Sequence, residues 1–544
     1  MLRNTTLRLM VVLVSILVIS AGLSQVGQAQ PKKGGTIVEA IGTEPTNMDI
    51  FKGVRRPERT ILQLIFEPLF VVNERLEIEP LLVDSWKVSE DQITWTFVLK
   101  RGIKFHDGTP LNAEAVKFSL ERHKEGSHPQ LVKIVKEIKV VDEYTVALRL
   151  EKPYPLLITN LSSYWTGIVS PTAVKKAGGE WGSKVIVGTG PLKFKKWISG
   201  DRIILERNED YNHAPSFVSN KGPAYVDGWV IRFIPEPTTL IAELTEGNVD
   251  ISDYVTERDV RRVRKNPKTD LVMAKSTSAI YLAINCSSKN EPYNDVRVRK
   301  ALAHAVNQKA VVKAAMAGVG APLYTPISPS VKGFWKGSEE IGEKNTRYDP
   351  ERAKRLLEEA GWKDTDGDGV REKNGQELEV VFMAFTIARY KRMAEVATPM
   401  LEAAGFKVKL LILEAGDLYE RVLAQKHDLL STGLVASQGI AIDDMVNTLH
   451  SQNLGSIMQW CHYSNPEMDR LIDLARYSPN TQKREQALIE AQKMAAEEAV
   501  VVPIANAMEI FGYKKNIGGV DNYIKHPWAF DQVDAFRALE LYKE

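Results

Sequence analysis

Residues that could perform catalysis or bind a metal are scattered along this chain of 544 residues. The sequence has no Gly-x-Ser-x-Gly elbow, no His-Glu-x-x-His pair and no phosphate-binding loop, so the common catalytic signatures are missing. Four histidines of the second half stand isolated in sequence: His304, His427, His450 and His462. A cysteine nucleophile with a distant histidine, in a secreted hydrolase, is the rival interpretation. We therefore predict that the chain is not an enzyme and has no cofactor.

The stretch Asp364-Thr365-Asp366-Gly367-Asp368-Gly369 begins like a calcium-binding loop. Oxygen-bearing side chains occupy positions 1, 3 and 5, and a glycine stands at position 6, where such loops turn sharply. Position 12 is Gly375 in place of the bidentate glutamate, so Glu372 or Glu377 would have to substitute for it. Asp364, Asp366 and Asp368 are thus weak calcium candidates, and an acidic hairpin turn is the alternative.

Only two cysteines occur, Cys286 and Cys461. In an oxidising compartment such a pair is a disulfide candidate. Two separate buried thiols are the alternative, because the sequence does not show whether their Cα atoms approach each other.

The first 29 residues resemble an export signal. Arg3 and Arg8 precede an apolar run over residues 9–23, and Gly27-Gln28-Ala29 places small residues at a cleavage site. The run is short of the roughly 20 residues that span a bilayer comfortably, which disfavours a membrane anchor. No cysteine follows it, so we expect a periplasmic protein with a cleaved signal peptide, not a lipoprotein.

Charge and length restrict the class of protein and the number of domains. The whole sequence has 71 Lys and Arg and 69 Asp and Glu, and the signal contains two of the basic residues and no acidic one. The mature chain is therefore close to neutral. A nucleic-acid partner would call for a basic stripe and is not expected. The length exceeds what one hydrophobic core supports, so two or more domains are predicted.

The elements that would position any site follow clear local patterns. Ile93, Trp95, Phe97 and Leu99 alternate with more polar residues, which predicts a strand with one buried face. Asn112 stands where a helix N-cap belongs. Two apolar segments, 379–385 and 407–413, flank a helical pattern over 390–404, which predicts a βαβ unit.

Five segments together resemble the extracellular solute-binding proteins of family 5, the dipeptide, oligopeptide and nickel receptors of ABC importers. They are Trp86 with 104–116, Val187-Gly188-Thr189-Gly190-Pro191-Leu192-Lys193-Phe194, 202–211, 294–312 and 348–362. They extend over most of the chain after the signal.

The resemblance implies an α/β fold, the two-lobed periplasmic-binding-protein fold of the large class. Residues 30–55, 187–276 and 503–544 would form the core of lobe I, with residues 56–186 as an inserted subdomain. Residues 277–502 would form lobe II, and crossing strands would act as a hinge. Ligand would bind by closure of the lobes.

The function implied is capture of a peptide or small organic solute and its delivery to ABC permease subunits in the inner membrane. The protein itself would be a monomer. Oligosaccharides, opine-like solutes and nickel chelates are the alternative cargoes.

Site residues follow from the same resemblance. Glu44 lies in a loop at the mouth of the cleft in the family, and Tyr164, Trp165 and Trp460 belong to segments that border it. Aromatic rings with few polar anchors are typical of small-molecule sites. Core packing is the alternative for each of these rings, and His462 is a further ligand candidate.

Two polar positions bear on the type of ligand. Gln438 aligns with the aspartate that meets the ligand's α-amino group in dipeptide receptors, with Asp443 or Asp444 nearby, which weakens a free-dipeptide assignment. Arg389 is a candidate carboxylate clamp, because a guanidinium binds carboxylate bidentately.

Overall fold

The computed structural model describes residues 31–53, 55–73, 75–435, 439–456, 458–521 and 536–544. The strands of this part are β1 (Thr36–Ile41), β2 (Phe70–Val72), β3 (Ile78–Pro80), β4 (Val83–Val88), β5 (Thr94–Leu99), β6 (Val135–Asp142), β7 (Thr145–Leu150), β8 (Leu192–Ile198), β9 (Arg202–Arg207), β10 (Gly228–Phe233), β11 (Ile251–Ser252), β12 (Thr269–Ile284), β13 (Ala321–Pro322), β14 (Glu372–Lys373), β15 (Gln376–Glu377), β16 (Glu379–Phe385), β17 (Lys407–Leu413), β18 (Leu429–Val435), β19 (Val501–Lys514), β20 (Ile517–Gly518) and β21 (Tyr542–Lys543). The helices are α1 (Arg56–Leu62), α2 (Ala113–Lys124), α3 (Leu157–Asn160), α4 (Pro171–Ala177), α5 (Pro237–Glu246), α6 (Val260–Lys265), α7 (Val296–Ala305), α8 (Gln308–Ala315), α9 (Lys336–Thr346), α10 (Pro350–Glu359), α11 (Ala388–Ala403), α12 (Ala415–Leu423), α13 (Ala441–Leu449), α14 (Pro466–Tyr477), α15 (Thr481–Glu498) and α16 (Arg537–Glu540).

One long sheet passes through both halves of the molecule. Its strands pair in the order β17-β16-β18-β12-β19-β11-β1-β10-β9-β8, and β13 also pairs with β19. Towards one end β1 is parallel to β10, and at the other end β16 is parallel to β17 and β18. The predicted βαβ unit is confirmed, because α11 connects β16 to its parallel neighbour β17.

Buried apolar side chains form two large, separate clusters. One includes Ile37, Phe97 and Trp229, and the other includes Tyr281 and Phe382. Two cores are expected for a chain of this length. We call residues 31–276 with 503–544 the first lobe and residues 277–502 the second lobe; these boundaries stay a prediction.

Two strands connect the lobes and have the character of a hinge. β12 has 16 residues and β19 has 14, and they pair antiparallel along nearly their whole lengths. Their register shifts between Lys275 and Ala279, close to the boundary between the lobes. An interruption of regular pairing is a place where two long strands can bend.

The segment that contains Trp95 and Asn112 folds as predicted. In β5 the side chains of Trp95, Phe97 and Leu99 are buried while their neighbours are partly exposed. The Asn112 side chain caps α2 by accepting a hydrogen bond from the backbone N of Ala115 at 3.0 Å. β5 belongs to a four-stranded antiparallel sheet, β4-β5-β7-β6, whose apolar face joins the core of the first lobe.

Gly188 illustrates why the segment of residues 187–194 contains glycine. A Cβ on Gly188 would lie 2.0 Å from the carbonyl oxygen of Ile65, so a side chain does not fit there. The glycines thus permit close packing of two backbones. None of the helices in the described ranges has the length and apolarity needed to cross a membrane.

Candidate functional site

A cavity of ≈ 580 Å³ lies between the two lobes. The first lobe lines it with Pro237, Thr238 and residues 256–259, and the second lobe with Ala315 and residues 387–390. Residues 237–238, 256–259 and 387–390 follow the carboxyl ends of β10, β11 and β16, strands that are parallel to a neighbour within their own lobe. Ala315 is the last residue of α8. Loops after the carboxyl ends of parallel strands are the usual binding positions of α/β folds.

An ion pair crosses this interlobe cavity. The Nη2 of Arg389, in the first turn of α11, lies 2.5 Å from the Oε1 of Glu257 in the first lobe. The Glu257 side chain is 10% exposed and that of Arg389 30%, so the pair is sheltered from water. The residue predicted to clamp a ligand carboxylate is thus paired with a carboxylate of the opposite lobe. Sequence reasoning missed Glu257, because its neighbours carry no motif.

The lobes also touch on the side of the inserted subdomain. The Nζ of Lys332 donates a hydrogen bond to the carbonyl oxygen of Leu76 at 3.1 Å. The ring of Tyr154 lies 5.7 Å from that of Tyr477, and the Nζ of Lys152 lies 3.4 Å from the centre of the Tyr477 ring. These contacts join the two lobes in the arrangement described.

Asp443 and Asp444 stand in the first turn of α13, a favourable place for negative charge. Burial raises the pKa of Asp443 to about 7, and the positive charge of Arg476 opposes this shift. Burial and the charge of Asp443 raise the pKa of Asp444. Asp443 also contributes to the raised pKa of Tyr154, to about 12, which is caused mainly by burial of the phenol. Asp443 therefore faces the contact between the lobes, whereas Asp444 is buried in the second lobe.

The predicted aromatic residues of the first lobe pack internally. Trp165 is 5% exposed and stacks on His128 with ring centres 4.4 Å apart. The ring of Tyr164 lies 4.7 Å from that of Trp165. Neither residue lines the interlobe cavity. The core-packing alternative describes their contacts better, since both rings belong to or pack against the first-lobe cluster.

Glu44 also makes contacts within its own lobe. Its Oε1 accepts a hydrogen bond from the indole N–H of Trp197 at 2.8 Å, and its Oε2 accepts one from the backbone N of Gly200 at 3.0 Å. The carboxylate therefore fastens the loop after β1 to the β8–β9 hairpin. The ligand contact expected of Glu44 stays a prediction.

In the second lobe, Trp460 packs behind the side chains that line the interlobe cavity. It is 8% exposed and stacks on Tyr419, with ring centres 5.8 Å apart. Phe385 contacts Trp460 at 6.5 Å and Tyr390 at 5.8 Å, and Tyr390 lines the cavity. Trp460 is thus connected to the cavity through other rings and does not line it.

His462 is buried in the second lobe, and its role as a ligand residue stays a prediction. It is 2% exposed, and its Nε2 is 2.9 Å from the carbonyl oxygen of Val422, so this nitrogen is the donor. Burial lowers the pKa of His462, and burial lowers that of the neighbouring His427 to about 4. Gln438, the remaining predicted ligand residue, lies outside the described residues.

The acidic loop differs from the predicted calcium set. Ligand oxygens of Asp364, Asp366 and Glu372 come within 4.8 Å of one another, so Glu372 joins the group and Asp368 does not. The Asp368 carboxylate accepts a hydrogen bond from the backbone N of Val370 at 2.8 Å. Asp364 similarly accepts hydrogen bonds from Gly367 and Gly369. The carboxylates thus stabilise the turn itself, which agrees with the hairpin alternative.

Cys286 and Cys461 are neighbours but remain free thiols, so the disulfide prediction is not met in this structure. The backbone N of Cys286 donates to the carbonyl oxygen of Cys461 at 2.7 Å. Both side chains are buried, and burial raises the pKa of Cys286 to about 11.

A second cavity, of ≈ 630 Å³, lies wholly within the first lobe. Asp84, Lys100, Arg101 and His213 are among the residues that line it. Although it is slightly larger, movement of the lobes would not enclose a ligand there. The interlobe cavity is therefore the better candidate for a binding site that closes around its ligand.

A family model described as "Bacterial extracellular solute-binding proteins, family 5 Middle" matches residues 77–456, which is most of the chain. The chain belongs to this family. Its members are binding proteins, and the relatives described next are receptors for solutes.

Two curated relatives match over most of their lengths. Heme-binding protein A of Haemophilus influenzae is 28% identical over 486 residues, covering 84% of this chain and 83% of the relative. The oligopeptide-binding protein AppA of Bacillus subtilis is 26% identical over 488 residues, covering 85% of this chain and 86% of the relative.

Solved structures show the same fold. The structure of AppA from Bacillus subtilis in complex with a nonapeptide matches with a TM-score of 0.76 and 25% identity, covering 95% of this chain and 100% of that one. NikA from Brucella suis in complex with Fe(III)-EDTA matches with a TM-score of 0.81 and 22% identity, covering 94% of this chain and 100% of that one. The predicted α/β fold of periplasmic binding proteins is thereby confirmed.

Proposed function

We propose that this protein is the receptor of an ABC importer that captures a peptide or related small organic solute and delivers it to permease subunits in the inner membrane. The interlobe cavity is the observation that carries the proposal. Its volume of ≈ 580 Å³ falls within the range of about 300–1,000 Å³ that is typical of small-molecule sites. Both lobes supply its walls, so closure would remove the ligand from water.

The mechanism is a shift between open and closed arrangements of the lobes. β12 and β19 act as the hinge, and the ligand stabilises the closed form because it contacts both lobes there. A ligand shifts the equilibrium only through its preference for one form over the other. The closed receptor then presents a surface that the permease recognises.

Several finer features belong to the same proposal. Residues 1–29 act as a cleavable signal, the mature protein is periplasmic without a lipid anchor, and it works as a monomer. It has no catalytic activity of its own. The lobe boundaries follow the assignment made from sequence, with residues 56–186 as the inserted subdomain of the first lobe.

A thermal-shift screen tests the cargo class. We expect peptides to raise the melting temperature of the purified mature protein by a few degrees, because a ligand at 100 times its Kd adds about 2.7 kcal/mol to the folded state. Matched sugar and nickel-chelate libraries are the comparison. Stabilisation by sugars alone would overturn the peptide assignment, and stabilisation by nickel chelates alone would assign a metal cargo.

A further inference from the structure

A run of cationic side chains lies on the first lobe, between the interlobe cavity and the start of β12. Residues 258–268 contain six cationic side chains and one anionic side chain, a net charge of +5, whereas the whole chain has a net charge of +2. Five exposed cations of α6 and the turn after it form what we call the cationic surface: Arg261, Arg262, Arg264, Lys265 and Lys268. Lys515, also exposed, extends this surface, because its backbone N donates a hydrogen bond to the carbonyl oxygen of Lys268 at 2.9 Å.

The charges of the cationic surface are not compensated within the part of the chain that the structure describes. None of its five side chains forms an ion pair with a described carboxylate. Asp259, the one acidic residue of the segment, accepts a hydrogen bond from the hydroxyl of Thr256 at 2.5 Å. By contrast Lys514, which follows in β19, pairs with Asp250 at 3.1 Å. The cationic surface therefore has its charges available for a partner outside the chain.

The stability of α6 does not explain this arrangement. The helix dipole favours cations in the last turn, but Arg261 is the second residue of the helix, where the dipole disfavours a cation. Arg264 and Lys265 follow Arg261 at spacings of three and four residues, and like charges at these spacings repel each other on a helix. The buried side of α6 consists of Val260 and Val263, so the cations face solvent. An anionic partner would relieve their repulsion.

We propose that the cationic surface binds an anionic lipid bilayer through the phosphate groups of its lipids. None of the five residues lines the interlobe cavity or the first-lobe cavity, so their charges do not serve either of these small-molecule sites. The two apolar residues of the segment are buried, so attachment is by charge and not by insertion into the lipid. Each Lys or Arg held near an anionic bilayer raises the affinity about fivefold.

A bilayer fits the cationic surface better than an acidic protein face does. Recognition of a protein face of fixed shape is favoured by cations that are held in position, as bidentate or hydrogen-bonded pairs are. The five cations extend separately from one exposed face and have no such supports among the described residues. The phosphates of a bilayer move laterally and adapt to the positions of the cations.

Membrane binding goes beyond the capture of a solute, and only its location at the inner membrane rests on the proposed function. Arg258 and Asp259 begin the segment and also line the interlobe cavity. A receptor bound through the cationic surface would therefore hold one edge of that cavity close to the bilayer. Such binding raises the concentration of the receptor beside a permease embedded in the same membrane.

Sedimentation with lipid vesicles tests the proposal. Purified mature protein is mixed with vesicles of phosphatidylcholine alone or of phosphatidylcholine and phosphatidylglycerol in equal parts. At about 0.1 M salt we expect at least about 10-fold tighter binding to the vesicles that contain phosphatidylglycerol. Raising the salt to about 1 M should abolish the difference, because the screening length falls from about 10 Å to about 3 Å.

Two variants with equal changes in net charge separate the cationic surface from the charge of the whole protein. The first combines Arg261→Gln, Arg264→Gln and Lys265→Gln, and should bind about 100-fold more weakly, because three cations are lost. It should melt no lower than wild type, since the repulsion within α6 is also removed. The control replaces three exposed lysines at and before β6: Lys133→Gln, Lys136→Gln and Lys139→Gln. The control should bind the vesicles as the wild type does.

The results that overturn membrane binding are distinct from those that overturn the proposed function. Equal binding of the wild type to both vesicle compositions, or binding to neither, would exclude an anionic bilayer as the partner. Equal weakening of the two variants would assign binding to net charge and not to the cationic surface. Binding to poly-L-glutamate without binding to the anionic vesicles would assign the surface to an acidic protein. The thermal screen is independent of these results, and the proposed function fails only if no solute stabilises the protein there.

Discussion

The side-chain amide of Asn506, on β19, donates a hydrogen bond of 2.9 Å to the carbonyl oxygen of Ser276, on β12, where the pairing of the two strands shifts. The same nitrogen lies 3.1 Å from the carbonyl oxygen of Ser278 and 2.7 Å from the Oγ of Ser328. The buried amide of Asn506 thus donates to backbone carbonyls that regular strand pairing would otherwise satisfy. The Asn506 side chain therefore links β19 to β12 within the hinge.

Replacing Asn506 by aspartate should destabilise the protein. Asn506→Asp keeps the shape of the side chain but brings an acceptor against two carbonyl acceptors, which leaves buried groups unpaired. We expect the free energy of unfolding to fall by about 1–3 kcal/mol. Chemical denaturation at pH 7 measures the effect. Asn294→Asp, at an exposed asparagine, is the control and should change little; equal effects of the two substitutions would refute the role of Asn506.

Asp443 predicts a dependence of stability on pH. Burial raises the pKa of Asp443 to about 7 from an ordinary value of 3.8. Between these values the folded state binds more protons than the unfolded state, so the contribution of Asp443 to stability falls as the pH rises through the window. Asp443→Asn removes the titrating carboxyl group, so the variant does not lose this stability as the pH rises.

We therefore expect Asp443→Asn to be more stable than wild type by about 1–2 kcal/mol at pH 8 and nearly equal to it at pH 4. Denaturant titrations at the two pH values measure this difference in the free energy of unfolding. A variant that is less stable than wild type at pH 8 would mean that the attraction between Asp443 and the charge of Arg476 outweighs burial, contrary to our assignment.

Glu67 predicts the opposite dependence, in the acid range. Burial alone would raise the pKa of Glu67, but the charge of His213 and hydrogen bonds from His213, Thr189 and Tyr211 outweigh it and lower the pKa below 4.5. The Tyr211 hydroxyl donates to Oε1 at 2.8 Å and the Thr189 hydroxyl to Oε2 at 2.7 Å. The stabilisation is present above the ordinary pKa of a glutamate and is lost as the pH falls through the lowered value.

Glu67→Gln should lower the free energy of unfolding by about 3 kcal/mol at pH 7, because it removes a buried carboxylate that accepts hydrogen bonds from Thr189, Tyr211 and His213. The difference from wild type should narrow when the pH is lowered to 3, since the wild-type carboxylate then becomes protonated. Guanidinium denaturation at both pH values measures this. A difference that stays constant with pH would show that the carboxylate charge contributes nothing.

The cysteines should behave as buried thiols. Native protein at pH 8 should react very slowly with a thiol reagent, because burial raises the pKa of Cys286 to about 11 and only the thiolate is the nucleophile. After denaturation without reductant, both thiols should titrate. Finding none in the denatured, unreduced protein would establish a disulfide between Cys286 and Cys461 in place of the free thiols described.

Local patterns predicted individual elements well because their causes are local. Alternation around Trp95 identified a strand, and Asn112 identified the start of a helix. Asp349 similarly caps α10 by accepting a hydrogen bond from the backbone N of Arg352 at 2.9 Å, and Gly361 follows the helix with φ +92°. Each of these features depends on residues only a few positions apart.

The candidate site was harder to predict, because it depends on which distant segments meet. Arg389 was recognised as a possible anion partner, but nothing near Glu257 in sequence shows that the two come together across the lobes. The same limit explains Trp165 and His462, whose residue types suit a ligand and equally suit a core. Only their burial and partners distinguish the two roles.

The most direct test of the account is a crystal structure of the protein with the peptide that stabilises it most in the thermal screen. We predict that the peptide occupies the interlobe cavity and contacts both lobes, at residues 256–259 and at residues 387–390. A peptide bound in the first-lobe cavity beside Lys100 and His213 would contradict it.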